Sequence, residues 1–168
     1  MSQLLYASDG RLLDGERELV GFDASQGPFG SLTLTSTGSQ YEIARQKQHG
    51  WHMTLQDRGT GQQAFEFVPH PIGRGGHLRS GDETVELKGR PLGPSHWSFE
   101  SADGAQIDAT AHRDEESGPW PFGKLEVMLE GGEMVGAPAI APLTLAFGCW
   151  LIVQWETDIP RYPARGSF

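Results

Sequence analysis

The most informative segment of the sequence is Pro142–Trp155, PLTLAFGCWLIVQW. Proline fits the first turn of a helix because its φ angle is already helical and its missing N–H needs no partner there. Within Pro142–Trp155 no residue is charged, and only Thr144 and Gln154 are clearly polar. The predicted helix is therefore apolar on every face, and such a helix lies either in lipid or inside a protein.

Before this helix, the chain consists of short runs in which apolar and polar residues alternate. A period of two places one apolar set on one face of a sheet and the polar set on the wet face. Turn residues such as Asp14-Gly15 separate the runs, which is typical of β-hairpins. Ile72–Arg79 is the least regular run, because Gly73–Gly76 fit either a bulged strand or a loop. Apart from this open case, the runs that we interpret as strands are Leu4–Tyr6, Arg11–Leu13, Arg17–Phe22, Ser31–Thr35, Gln40–Arg45, Trp51–Gln56, Ala64–Val68, Thr84–Lys88, His96–Glu100, Gln106–Ala111 and Lys124–Glu130.

These runs amount to roughly ten to twelve strands at intervals of about 8–12 residues, as in all-β sandwiches and barrels. A sheet with one apolar face must bury that face, and a fully apolar helix must be surrounded by apolar residues. We therefore predict a mainly β fold, in which an antiparallel closed barrel encloses one hydrophobic C-terminal α-helix at about 140–155. A helix of about 21 Å matches the length of strands of about 5–7 residues. The predicted domain spans residues 1–156, and residues 157–168 are predicted to form an extended tail.

Composition limits the expected partners and location. The chain of 168 residues carries a formal net charge of −9, and its Lys and Arg residues are not clustered. We expect no nucleic-acid partner, because phosphate binding needs clustered cations. Cys149 is the only cysteine, which excludes an intramolecular disulfide and a cysteine zinc site. Residues 1–10 lack the basic region and long apolar core of a signal peptide, so we expect a cytoplasmic protein.

The order of elements, hairpins first and an apolar helix last, is itself informative. The hairpins span Leu4–Glu130, the apolar segment spans Ala139–Trp155, and the turn Ser101–Gly104 precedes the strand segment Gln106–Ala109. This pattern resembles the tubby C-terminal-like superfamily, which includes the LURP-one-related proteins and the phospholipid scramblases. The resemblance implies a barrel threaded by the helix, and a non-enzymatic binding or scaffold domain with a protein or lipid partner. The phosphoinositide-binding residues of tubby proteins have no matching cluster here, so that ligand is not carried over, and neither is the calcium site proposed for scramblases.

The segment between His70 and Arg79 holds the only local concentration of positive charge. Successive glycine N–H groups can form a concave nest that binds an anion. The sequence lacks the lysine–serine pattern of a P-loop, which excludes nucleotide binding of that type. We therefore predict a candidate anion site of another kind. Its residues are Arg74, Gly75, Gly76, His77 and Arg79.

Three other groups have a functional and a structural interpretation. His49 and His52 could share a metal on a helix, but their place at a strand start favours solvated side chains. Asp114–Glu116 is either a calcium ligand set or a solvated acidic run, and it lacks the spacing of a known calcium loop. Cys149 is expected to be a buried thiol with a raised pKa rather than a nucleophile. We predict no catalytic residue, no metal site and no cofactor.

Two alternative functions stay open at this point. Val135–Trp155 is an uncharged window long enough to span a bilayer, as in a tail-anchored membrane protein with a soluble β domain. Pro138 and Pro142 interrupt the first third of this window, and no basic cluster flanks it. The second alternative is a small-ligand carrier or enzyme that uses a β-barrel pocket, as lipocalin-like barrels do. Because the helix would fill that pocket, a binding or scaffold domain is favoured over both.

Overall fold

The computed structural model describes residues 3–23, 31–34, 38–45, 52–89, 95–113, 124–131 and 140–158. Its strands are β1 (Gln3–Tyr6), β2 (Arg11–Asp14), β3 (Arg17–Asp23), β4 (Ser31–Leu34), β5 (Gln40–Arg45), β6 (Met53–Asp57), β7 (Gln63–Pro69), β8 (Gly75–Ser80), β9 (Glu83–Gly89), β10 (His96–Ser101), β11 (Gln106–Arg113) and β12 (Leu125–Glu130). Among the described residues, these twelve strands form a closed antiparallel barrel in chain order, and β1 pairs with β12 to complete it. The predicted mainly β, closed antiparallel barrel is confirmed.

The barrel wall follows directly from the alternation in the sequence. In β11, Ile107, Ala109 and Ala111 are buried, whereas Gln106 and Asp108 between and beside them are exposed. The inward side chains of the strands and those of the helix form one continuous hydrophobic core. Each fully buried aliphatic or aromatic side chain contributes about 1.5–3 kcal/mol, so this shared core ties the helix to the wall.

The least regular run consists of a turn followed by a regularly paired strand. Residues 71–74 form the turn, and β8 begins at Gly75. A Cβ atom at Gly75 would lie 2.0 Å from the carbonyl oxygen of Leu87, and one at Gly76 would lie 2.2 Å from that of Val68. Glycine is therefore required because neighbouring backbone approaches closely, and this requirement interrupts the alternation without interrupting the strand.

The helix α1 (Pro142–Asp158) begins at the expected proline and ends later than predicted. All residues from Thr144 to Ile152 are buried, so the barrel covers every face of this part of the helix. Residues 157 and 158, which were predicted to start the extended tail, are helical. The helix continues because the next residue that disfavours it in the sequence is Pro160, which restricts the residue before it. The rest of the predicted tail lies outside the described residues.

Contacts at the middle of α1 show how closely the helix approaches the wall. The rings of Phe147 and of Phe65 in β7 have centroids 5.0 Å apart. A Cβ atom at Gly148 would lie 2.2 Å from Cε1 of Phe99 in β10, so the absence of a side chain lets the helix approach that strand. Among the described residues, no helix has both the length and the apolar content needed to cross a membrane.

The two open ends of the barrel hold opposite ends of α1. Because the strands alternate in direction, the β8–β9 turn lies at the end where the helix begins, and the β7–β8 turn lies where it ends. At the first end, Glu83 Oε1 accepts the backbone N–H of Ala141 at 3.3 Å. At the second end, Arg74 Nη1 lies 3.4 Å from Glu156 Oε1. We call these ends the Glu83 rim and the Arg74 rim.

Candidate functional site

The inside of the barrel is filled by the helix, and a groove lies on the outer surface at the Arg74 rim. Inside the barrel, α1 fills the space that a ligand occupies in a hollow barrel of this kind. Outside, a groove of about 560 Å³ lies between the β7–β8 turn and the end of β9. This volume is within the range of small-ligand sites. The residues that line the groove are His70, Pro71, Ile72, Gly73, Arg74, Glu86, Lys88 and Gly89.

The β7–β8 turn forms the outer wall of this groove. The backbone N–H of His70 donates to the carbonyl oxygen of Gly75 at 2.9 Å and closes the turn. Gly73 has a φ angle of +89°, which favours glycine over other residues. The turn presents Ile72 with 91% of its surface exposed, which makes it the one large exposed hydrophobic residue in the described part of the chain. Single exposed apolar residues are common, so Ile72 gains significance only from the groove beside it.

Arg74 connects the groove to the end of the helix. Its guanidinium carbon lies 4.9 Å from the centroid of the Trp97 ring, which is a cation–π distance. The Trp97 indole N–H donates to Glu156 Oε1 at 2.6 Å, and Arg74 Nη1 lies 3.4 Å from the same oxygen. Burial raises the pKa of the Glu156 carboxyl, against the opposing effects of the Trp97 hydrogen bond and the charges of Arg74 and His96. Oε1 of Glu156 is thus held by a short hydrogen bond from Trp97 and by a longer contact with Arg74.

A second set of charges lies along the β9 side of the groove. His70 Nε2 lies 3.1 Å from Glu86 Oε2, and Lys88 Nζ lies 3.6 Å from the other oxygen of Glu86. Lys88 Nζ also lies 3.2 Å from Glu100 Oε2. The hydrogen bond to Glu100 and the charge of Glu86 raise the pKa of the Lys88 ammonium, which keeps Lys88 charged. Because 44% of its side chain is exposed, Lys88 still faces solvent at the groove.

The structure separates the residues of the predicted anion site. Arg74 lines the groove, but Gly75 and Gly76 lie in β8, paired with Lys88 and Leu87 of β9. The ring of His77 packs edge-on against that of His70, with centroids 5.2 Å apart. Arg79 lies further along β8, where its Nη1 is 3.7 Å from Glu66 Oε1. Anion binding by these five residues stays a prediction, and of the five only Arg74 lines the groove.

The other candidate groups are placed in part. His52 Nε2 lies 3.1 Å from Glu66 Oε2, whereas His49 lies outside the described residues. The acidic run Asp114–Glu116 also lies outside them. In the described ranges, no group of three or more His, Cys, Asp or Glu side chains is arranged to hold a metal ion. Cys149 is fully buried among apolar neighbours, and this burial raises the pKa of its thiol.

Sequence reasoning missed Lys88, Trp97 and Glu156 as parts of one site. These residues come from β9, β10 and α1, and each occupies an ordinary position for its type in its own segment. The only available signal was positional, since the first residues of β10 and the last turn of α1 both fall at the same end of the predicted barrel. Comparison with protein-family models, with curated proteins and with solved structures gives no match for this chain.

Proposed function

We propose that this chain is a non-enzymatic binding domain of the tubby-like type, which contacts a partner protein through the groove at the Arg74 rim. The observation that carries the proposal is the fixed exposure of Ile72 at the edge of a charged groove. Protein interfaces concentrate their binding energy in a few side chains that a partner can bury completely, surrounded by polar groups. Ile72, with Lys88 and Arg74 beside it, has this arrangement.

The barrel architecture supports the same class of function. Because the helix fills the barrel, the interior is occupied by the hydrophobic core. A partner would therefore be recognised by the outer surface and the rims. A closed twelve-stranded antiparallel barrel around a C-terminal helix also agrees with the resemblance to the tubby-like superfamily. The single, fully buried Cys149 suits a reducing compartment, so we propose a cytoplasmic domain.

Site-specific photocrosslinking in intact cells tests this proposal. One variant carries p-benzoylphenylalanine in place of Ile72, and the control carries it in place of Thr60, which is exposed at the opposite rim. We expect a discrete crosslinked protein from position 72 that position 60 does not give. The yield should also fall when Lys88, outside the crosslinking position, is changed to Gln.

Two outcomes would contradict the proposal. Equal labelling from positions 72 and 60 would indicate non-specific contact, and crosslinks from position 72 only to lipid would indicate a membrane partner. Both variants must first show the thermal transition of the unmodified protein. That control is achievable because both side chains are exposed and surface changes usually alter stability by less than about 0.5 kcal/mol.

A further inference from the structure

We infer that the outer wall formed by β12, β1 and β2 binds an amphipathic helix of a partner protein, with Lys or Arg along one flank of its apolar face. Three aliphatic side chains, Met128, Leu5 and Leu13, form a continuous row across these strands on the outside of the barrel. We call them the outer apolar row. This surface lies apart from the groove, which is formed by the β7–β8 turn and β9. The inference therefore goes beyond the proposed function.

Strand alternation places the row outside the core. Leu4 and Tyr6 are buried inside the barrel, so Leu5 between them points outward, where it is partly exposed. Leu5 is the register partner of Met128 in β12 and of Leu13 in β2, and both of these are also partly exposed. Because directly paired residues share a face of the sheet, the three side chains are neighbours. The wet face of an antiparallel sheet is normally polar, so the core does not account for this row.

The dimensions of the row match a helix better than an extended segment. Neighbouring strands are about 4.8 Å apart, so a row across three strands spans about 10 Å. Residues i, i+3 and i+7 of an α-helix lie on one face and rise by about 4.5 and 10.5 Å along its axis. In an extended segment the side chains on one face recur only every 6.8 Å or so. Three aliphatic side chains of a helix therefore lie opposite the three strands.

The charges beside the row select a basic helix. Asp108 and Glu130 lie directly opposite each other in β11 and β12, one step from the row toward the Glu83 rim, and both are exposed. Like charges in this position destabilise a sheet, although Gln106 Nε2 donates to Asp108 Oδ1 at 3.1 Å. Glu18, also exposed, is the register partner of Leu13 at the end of the row. In the described ranges, neither Glu18 nor Glu130 forms an ion pair with a cation. Lys or Arg of a partner complements this side.

The other side of the row is balanced in charge, which fixes the orientation of the partner. Toward the Arg74 rim, His112 Nε2 lies 2.7 Å from Glu126 Oε1, and Arg11 Nε lies 2.8 Å from Asp9 Oδ2. The basic flank of the bound helix therefore faces the Glu83 rim. A helix with cations on both flanks gains little from the second set.

The experiment is a titration of the full chain, labelled with ¹³C at the methionine methyl groups and observed by NMR and calorimetry. The probe is an acetylated, amidated peptide of about four helical turns, with leucines on one face and lysines along one flank. The matched peptide has glutamates in place of the lysines. We expect saturable binding of the lysine peptide that shifts the methyl signal of Met128. The methyl signal of Met53, which is 1% exposed inside the barrel, is the internal reference and should not shift. The glutamate peptide should bind at least about tenfold more weakly, and salt should weaken binding of the lysine peptide.

Two pairs of variants locate the binding. Leu13→Gln should weaken binding of the lysine peptide by about five- to tenfold, because an aliphatic contact is lost. Its control is Val68→Gln, since Val68 is also a partly exposed aliphatic residue of the outer wall but lies opposite His77 in β8. Glu130→Gln should weaken binding by about two- to fivefold, as expected for a charge at the edge of an interface. Its control is Glu42→Gln, an exposed carboxylate on β5, and both controls should bind as the wild type does.

Folding is checked first by the thermal transition of each variant. Glu130 is exposed, so Glu130→Gln is expected to fold and tests the inference independently of the apolar variants.

Several outcomes would overturn the inference. They are equal binding of the two peptides, control variants as weak as Leu13→Gln and Glu130→Gln, or an unshifted Met128 methyl signal at saturation. Self-association in analytical ultracentrifugation that Leu13→Gln abolishes, without peptide binding, would assign the row to a second copy of the chain. A Met128 shift with phosphatidylcholine vesicles and none with the lysine peptide would assign it to a lipid surface. A position-specific crosslink from residue 72 would leave the proposed function standing in each of these cases.

Discussion

The Glu83 rim and the Arg74 rim each hold one end of α1 through a glutamate, but the electrostatic consequences are opposite. At the Glu83 rim, the carboxylate accepts a backbone N–H just before the helix, where the helix dipole favours negative charge. At the Arg74 rim, Glu156 lies in the last turn, where the dipole disfavours negative charge. Trp97 and Arg74 are needed there to satisfy a carboxylate that is largely removed from water.

This difference supports the proposal that a partner binds at the Arg74 rim. An end whose charges already agree with the helix dipole is suited to stability alone. An end that keeps an unfavourable carboxylate, with a cation that also lines a groove, retains an arrangement that stability does not require. The groove lies at this same rim.

The largest loss of stability is expected from a change that removes the helix from the barrel. Ile152 is fully buried, and Ile152→Asp places an unpaired charge in the core. Such a charge costs roughly 3–5 kcal/mol, against a total stability of about 5–15 kcal/mol. We expect loss of the cooperative thermal transition measured by circular dichroism. Ile152→Val, the control, should cost only about 0.5–1.5 kcal/mol, and wild-type melting of the aspartate variant would contradict the enclosed helix.

A smaller loss of stability is expected when the hydrogen bond to Glu156 at the Arg74 rim is removed. Trp97→Phe removes the N–H that donates to Glu156 and leaves this largely buried oxygen with only the longer Arg74 contact, which costs about 1–3 kcal/mol. Trp150→Phe is the matched control, because within the described part of the chain its buried indole N–H has no hydrogen-bond partner. We expect urea unfolding to show a larger loss of stability for Trp97→Phe. Equal losses would mean that the hydrogen bond at the Arg74 rim contributes nothing beyond ring volume.

Packing at the middle of α1 determines how far the helix extends into the barrel. Gly148→Ala adds a Cβ atom that would lie 2.2 Å from Phe99 Cε1, so the helix or the ring has to move. Overpacking costs about 1–3 kcal/mol, and the better helix propensity of alanine returns about 1 kcal/mol. We therefore expect a net loss of up to about 2 kcal/mol in the same urea measurement. Gly59→Ala, in an exposed turn, should stay within about 0.5 kcal/mol, and a stabilising Gly148→Ala would argue against close packing at β10.

Most of the wall and the helix could be predicted from local patterns. Alternation such as that around Ile107 identifies inward positions without knowledge of the neighbouring strands. The absence of any polar stripe between Pro142 and Trp155 predicts a helix that is apolar on every face, and the proline marks its start correctly. The predicted helix end is too early, because the apolar run ends at Trp155 whereas the helix continues to Asp158.

The groove could not be predicted, because its geometry depends on how the elements meet. Whether Arg74 faces an anion or Glu156 depends on the depth of the helix, which is fixed by contacts such as that between Gly148 and Phe99. Cation clustering along the sequence therefore selected Arg79, which the strand carries to a different part of the outer face beside Glu66. Local patterns specify faces, whereas the site depends on distances between segments far apart in the chain.

The smallest effects compare the two glutamates directly. Glu83→Gln removes a charge that the helix start favours, so we expect a loss of about 0.3–1 kcal/mol at neutral pH. Glu156→Gln removes a charge that burial disfavours, while the amide oxygen still accepts the Trp97 N–H. At neutral pH we therefore expect Glu156→Gln to be less destabilising than Glu83→Gln, measured as the difference in Tm from the wild type.

The pH dependence of Glu156→Gln tests whether the ionised carboxylate is unfavourable at the Arg74 rim. The pKa of Glu156 is raised in the folded protein above its ordinary value of 4.5, so the folded state binds this proton more tightly than the unfolded chain does. The associated stability is fully present below pH 4.5 and is lost as the pH rises through the folded pKa. The glutamine variant lacks that loss, so its Tm relative to wild type should increase from pH 4 toward pH 7. A relative Tm that falls over this interval would show that Arg74 and Trp97 outweigh burial, and that the Arg74 rim stabilises the ionised carboxylate after all.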